Sequence, residues 1–163
     1  MSDVITELAA RVGDALKGAG ASLTTAESCT GGGIAEAVTR IPGSSAWFGQ
    51  GWVTYSNKAK ARELGVPTDL LRQHGAVSEA VVLAMAEGAA SQAGATWAVA
   101  VSGIAGPDGG SADKPVGTVW LAWSGPEGVV AERCLFPGDR DAVRRQTVER
   151  ALTGLLEKMG VAS

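Results

Sequence analysis

The chain has 163 residues, 45% of them hydrophobic and 19% charged, enough for one domain with a sizeable core and unlike a disordered chain. Fourteen basic residues against seventeen acidic ones give a net charge of −3, so no broad positive field is offered to nucleic acid, and a single histidine excludes a multi-histidine metal site. Glycine, at 23 residues, is roughly twice its usual share of about 7% and follows no period, which points to tight turns or close backbone approach to a ligand.

The N-terminal residues lack the basic region and apolar run of a secretory signal, and no stretch approaches the roughly 20 apolar residues of a membrane span. Cys29 and Cys134 are too few for a disulfide framework and lack metal-ligand spacing. These features predict a cytoplasmic protein with reduced thiols, with no membrane, metal or nucleic acid among its partners.

In chain order, Val4, Ile5, Leu8, Val12 and Leu16 share one helical face and predict a helix over residues 2–19, capped by Ser2 or Asp3 and ended by Gly18 and Gly20. A short apolar strand is predicted near 21–27. The run 27–33, Glu-Ser-Cys-Thr-Gly-Gly-Gly, opens a second helix carrying Ile34, Val38 and Ile41 before Pro42-Gly43. Residues 47–55 read as a strand weakened by its glycines, and residues 57–64 as a helix closed by Gly65 and Pro67. His74 falls in a loop, after which Ser78 caps an alanine-rich helix to about residue 93. Residues 96–102 form the clearest buried strand, followed by a glycine-rich loop over 103–116. Strands at 117–123 and 129–136 flank the turn Gly125-Pro126-Glu127-Gly128, and Asp139 or Asp141 starts a last helix with Gly160 just past its end. All five tryptophans fall in predicted strands. The pattern specifies one α/β domain over residues 1–163, a three-layer α/β/α arrangement with a mixed, mainly parallel sheet and a C-terminal antiparallel hairpin.

If the strands ending near Glu27, Tyr55 and Ser102 are parallel, the loops after them share one rim with the segment near 137–140. That rim is where open α/β folds bind ligands. Ser28 is the leading nucleophile there, at a strand-to-helix turn whose glycines leave N–H groups open to an anion or oxyanion. A serine hydroxyl needs a base. Lys58 and Lys60 lie just past the second strand, and a desolvated lysine is able to take the serine proton, with Tyr55 as a relay. Arg140 has the reach for bidentate contact with an anionic substrate group. Each residue also has a plain structural reading: Ser28 as a helix cap, Lys60 and Lys114 as solvated lysines, Tyr55 as a packing residue, Arg140 as a surface arginine. Cys29, beside Ser28, is a second candidate nucleophile. No Gly-x-Ser-x-Gly elbow, P-loop or dinucleotide fingerprint is present.

The run 25–32, Thr-Ala-Glu-Ser-Cys-Thr-Gly-Gly, resembles the signature of the CinA C-terminal domain family. Further blocks agree in order: Tyr55-Ser56-Asn57-Lys58-Ala59-Lys60, residues 74–79, residues 102–110, residues 114–119, and Gly138-Asp139-Arg140 with Val143-Arg144. The resemblance implies the stand-alone form, without the N-terminal domain of larger CinA proteins. It implies hydrolysis of the carboxamide of nicotinamide mononucleotide to nicotinate mononucleotide and ammonia, with no cofactor. By the same resemblance Ser28 is the nucleophile, Lys60 the base and Tyr55 the neighbouring hydroxyl. Thr30, Gly31 and Gly32 cradle the reacting group, while Ser102, Gly103, Ala105, Gly106 and Arg140 bind substrate, with Lys114 a further local cation. The other readings left open are a non-catalytic nucleotide-binding or regulatory module of the competence type, and hydrolysis through Cys29. Tryptophans in weak or edge-like strands predict a homodimer or larger homo-oligomer.

Overall fold

A computed structural model describes residues 3–161 of the chain. The first helix, α1 (Val4–Ala19), is capped by the Asp3 carboxylate, which accepts from the Ile5 N–H at 3.0 Å; the alternative cap, Ser2, lies outside the described residues. There follow β1 (Leu23–Glu27), α2 (Gly33–Thr39), a single 3₁₀ turn (Ser44–Ala46), β2 (Phe48–Val53), α3 (Asn57–Leu64), α4 (Thr68–His74), α5 (Glu79–Ala93), β3 (Trp97–Gly103), β4 (Thr118–Gly125), β5 (Gly128–Leu135) and α6 (Arg140–Lys158). The five strands form one sheet in the order β2-β1-β3-β4-β5. β1 is parallel to both neighbours, while β3, β4 and β5 form an antiparallel run, so β4 alone points against the rest.

Strand periodicity sorts the core into two layers. Val99, Val101, Val119, Leu121 and Trp123 face α1, α2 and α6, whereas Ala98, Ala100 and Ala122 face α5 with α3 and α4 beyond it. Helices therefore cover both faces, as the element pattern predicts. The chain leaves β1 for β2 on one side and returns to β3 on the other. The end of β1 is thus a switch point of the sheet, the place where open α/β folds form a crevice.

Three expectations need correction. Residues 68–74 form α4, so His74 closes a helix instead of lying in a loop; Gly65 ends α3 and Pro67 precedes the first residue of α4. α2 stops at Thr39, leaving Ile41 just beyond it. Trp47 is not a strand residue: it follows the 3₁₀ turn and buries its indole against Gly13 of α1, the one type of residue that leaves room for it.

Another close approach seats the helix that matters for the site. Gly88, inside α5, lies against the carbonyl of Leu64 in the last turn of α3, and a methyl group there would overlap that oxygen. Gly88→Ala gains helix propensity yet forces α3 and α5 apart. Thermal melting is expected to show a loss of about 1–3 kcal/mol, the usual range for overpacking.

Candidate active site

β1 is buried along its whole length and ends in Glu27, a carboxylate shut away from solvent. Its Oε1 accepts from the Thr30 hydroxyl at 2.5 Å and the Ile34 N–H at 2.8 Å, and Oε2 accepts from the Ala35 N–H at 3.0 Å. Gly32, the residue preceding α2, has no side chain to cap the helix, and Glu27 does so from the strand end. Burial raises the Glu27 pKa, against the pull of these hydrogen bonds. Between strand and helix the chain turns tightly, with the Gly31 N–H donating to the Ser28 carbonyl at 3.0 Å and the Gly33 N–H to the Thr30 carbonyl at 3.0 Å. The turn needs positive φ at Gly31 (59°) and Gly32 (99°), which side chains rarely adopt.

Ser28 stands at the start of this turn, 8% exposed, with its own N–H held by the Val101 carbonyl of β3. Opposite it lies Lys60, 1% exposed, from the first turn of α3. Lys60 Nζ donates to Ser28 Oγ at 3.0 Å and to the Thr54 carbonyl at 2.8 Å. Thr54 is aligned by its N–H, which donates to the Glu27 carbonyl at 2.8 Å. The α3 N-cap Ser56, accepting from the Ala59 N–H, sets the rotation of the helix. Lys58 then points to solvent: two helical positions place its side chain about 200° away from that of Lys60. Burial lowers the Lys60 pKa below the ordinary lysine range, and it lifts the neighbouring Cys29 thiol to about 12.

At the mouth, Tyr55 is 62% exposed and its hydroxyl accepts from Arg140 Nη2 at 2.9 Å, while Arg140 Nη1 donates to the Gly106 carbonyl at 2.7 Å. One arginine thereby ties the first turn of α6 to the loops after β2 and β3. Ser102 is buried in β3, Gly103 closes that strand against Thr118 and Val119, and Ala105 is buried under the loop that carries Gly106. Lys114 is turned elsewhere, with its Nζ donating to the carbonyl of His74 at the end of α4.

The structure thus joins Ser28, Lys60, Thr30 and the glycine turn directly, links Tyr55 with Arg140 and Gly106 as a second group, and sets Lys114 on α4. Three participants escape the sequence reading. Glu27 reads as one more acidic residue, although an acid ahead of a glycine-started helix is a capping signal. The Thr54 carbonyl leaves no trace in sequence. Arg144, whose Nη2 donates to the Thr30 carbonyl at 3.2 Å, is legible only as part of a matching block.

Glu27→Gln tests the carboxylate. One amide oxygen is able to serve Thr30 and Ile34, but the amide NH₂ then faces the Ala35 N–H, donor against donor. The expected result is about 1–3 kcal/mol lost on thermal melting, together with a lower turnover as the turn shifts beneath Ser28.

Comparison with known proteins places this geometry. Residues 5–159 match the model of the CinA C-terminal domain. The chain is 64% identical over 155 residues to a nicotinamide-nucleotide amidohydrolase PncC of Pseudomonas putida, covering 95% of this chain and 97% of the relative. It is 57% identical over 156 residues to the protein of the same name in Escherichia coli K12, covering 94% of each. Among solved structures, the competence/damage inducible protein CihA of Agrobacterium tumefaciens superposes with a TM-score of 0.93 at 46% identity, covering 96% of both chains. With the family model spanning nearly every element of the fold and relatives matched over more than nine-tenths of their length, the chain belongs to the CinA C-terminal domain family.

Proposed function

We propose that the protein is a nicotinamide-nucleotide amidohydrolase, converting nicotinamide mononucleotide and water to nicotinate mononucleotide and ammonia, with Ser28 as nucleophile and Lys60 as base. The observation that carries this reading is the buried 3.0 Å contact between Lys60 Nζ and Ser28 Oγ, in a chain whose near relatives bear that activity in their names. A carbonyl oxygen only accepts. The Thr54 carbonyl therefore retains an N–H of Lys60 when the amine is neutral, and the lone pair freed by loss of the proton is available to the Ser28 hydroxyl, to which the charged form donates. Lowering of the Lys60 pKa by burial favours that neutral form.

Ser28 Oγ attacks the carboxamide carbon as its proton passes to Lys60. The resulting oxyanion meets the N–H groups of the turn at Cys29 and Thr30, to which no backbone carbonyl among the described residues is bonded; one such donor is worth about 2.7–4 kcal/mol. Lys60 returns the proton to the amide nitrogen, the C–N bond breaks, and ammonia departs. Water, activated by Lys60, then opens the acyl-serine to the carboxylate and free Ser28. Tyr55, oriented by Arg140, stands at the mouth as the neighbouring hydroxyl, and the Ser102, Gly103, Ala105 and Gly106 segment forms the far wall. A module that only binds nucleotide has no use for a buried lysine aimed at a serine. The test is ammonia release from nicotinamide mononucleotide by wild type and by Ser28→Ala, and an alanine protein with wild-type rate overturns the reading.

A cytoplasmic setting is supported by two unpaired cysteines. Association with a second copy is supported by Val130 and Leu135, 50% and 60% exposed on the edge strand β5.

A further inference from the structure

Arg140 and Arg144 stand one turn apart on α6 and leave the helix on the same side. Their surroundings differ. Arg140 has both terminal nitrogens committed to protein, one to Gly106 and one to Tyr55. Arg144 gives a single N–H, from Nη2 to the Thr30 carbonyl, and no carboxylate among the described residues pairs with it. A guanidinium carries five N–H donors in a planar fork, so most of this one is open to a ligand.

Two clefts flank the start of α6. The smaller, about 330 Å³, holds Arg140 between Asp139 and Asp141, a setting that repels an anion. The larger, about 770 Å³, runs between α2 and α6 from Thr30 and Gly33 outward. Its acids Asp3 and Glu36 are occupied by Arg40 at 2.8 and 2.7 Å, which leaves Arg144 and Arg145 opposed by Glu149 alone. Gly31 keeps the approach clear, since a Cβ there would stand 3.2 Å from Arg144 Nη2. Two residues of chain span at most about 7 Å, so Arg144 lies within the reach of one nucleotide from Ser28.

We propose that Arg144 is the residue that selects for the phosphate of the substrate, holding a ribose 5-phosphate group in the cleft between α2 and α6 while the carboxamide lies at Ser28. Arg140 acts instead as a strut for Tyr55 and the β3 loop. The identity of the whole substrate rests on the amidase reading, but the anion site requires only a phosphorylated ribose.

The experiment has a binding arm and a kinetic arm. Calorimetric titration with ribose 5-phosphate compares wild type, Arg144→Ala and Arg144→Lys. The expected result is a roughly 10- to 100-fold weakening in the alanine protein, the usual effect of losing a charged hydrogen-bonding partner, with part of it restored by lysine. In the kinetic arm, KM for nicotinamide mononucleotide rises by a similar factor at nearly constant kcat, while kcat/KM for nicotinamide riboside, which lacks the phosphate, does not move. Equal affinity for ribose 5-phosphate in all three proteins overturns the proposal. So does a parallel loss on both substrates, which reduces Arg144 to a support for the Thr30 carbonyl. If the alanine protein misfolds, the lysine protein decides: its affinity then falls below wild type or the proposal fails. A wild type that binds ribose 5-phosphate through Arg144 yet releases no ammonia removes the amidase reading and leaves the anion site standing.

Discussion

Ser28→Ala is expected to lower ammonia release from nicotinamide mononucleotide by on the order of 10⁴- to 10⁶-fold, the range seen when a nucleophile is removed from a preorganised hydrolase site. The substitution deletes one small oxygen beside a glycine turn held by Glu27 and the β3 backbone, so the melting temperature should stay close to wild type. Cys29 does not rescue the reaction. Its thiol is buried and lifted to about 12, so almost none of it is thiolate at neutral pH, and treatment of the wild type with an alkylating reagent should leave the activity intact. Retained activity in Ser28→Ala, lost on alkylation, would transfer the nucleophile to Cys29.

Loss of Lys60, the proposed base, is expected to be nearly as severe. Lys60→Ala should reduce kcat by about 10²- to 10⁴-fold, and Lys60→Arg should behave no better, because a guanidinium is never deprotonated in a protein. The wild-type pH profile carries the same information. Only the neutral amine takes a proton, so kcat/KM falls as the pH drops through the Lys60 pKa and is flat above it. Because burial depresses that pKa, the plateau should begin below the ordinary lysine value of about 10.4. A profile still climbing at the ordinary value would mean that Lys60 stays charged in the free enzyme and acts otherwise than as the base.

Much of the architecture was readable because strands and helices carry their own periods. The buried middle of β3, the glycine-ended α1 and the hairpin at residues 125–128 each follow from local chemistry, and the shared rim follows from parallel strands. α4 escaped because seven residues with Leu71 as their only buried member give no periodic signal. Trp47 escaped because an aromatic beside a glycine-weakened strand looks like part of it, when its real partner is Gly13, thirty-four positions away. Within the site, Ser28 was legible from its turn, but the choice between Lys58 and Lys60 depends on a helix rotation set by Ser56, which spacing alone leaves open. Glu27 and Arg144 were least visible: a charge at a position that folding buries or aims into a cleft looks in sequence like any solvated charge.

Ser28 and Lys60, the proposed nucleophile and base, reach the rim from opposite sides of the sheet. Ser28 is held by the strand end and the layer that contains α2, whereas Lys60 arrives with α3, which belongs to the layer built on α5. Neither half of the core is able to assemble the pair alone. A partly folded chain, with one helix layer still undocked, has a serine without a base or a lysine without a nucleophile, and is inert toward the amides around it. With that proposed pair, hydrolysis is a property of the completed molecule, and ammonia release is expected to report that both layers have closed.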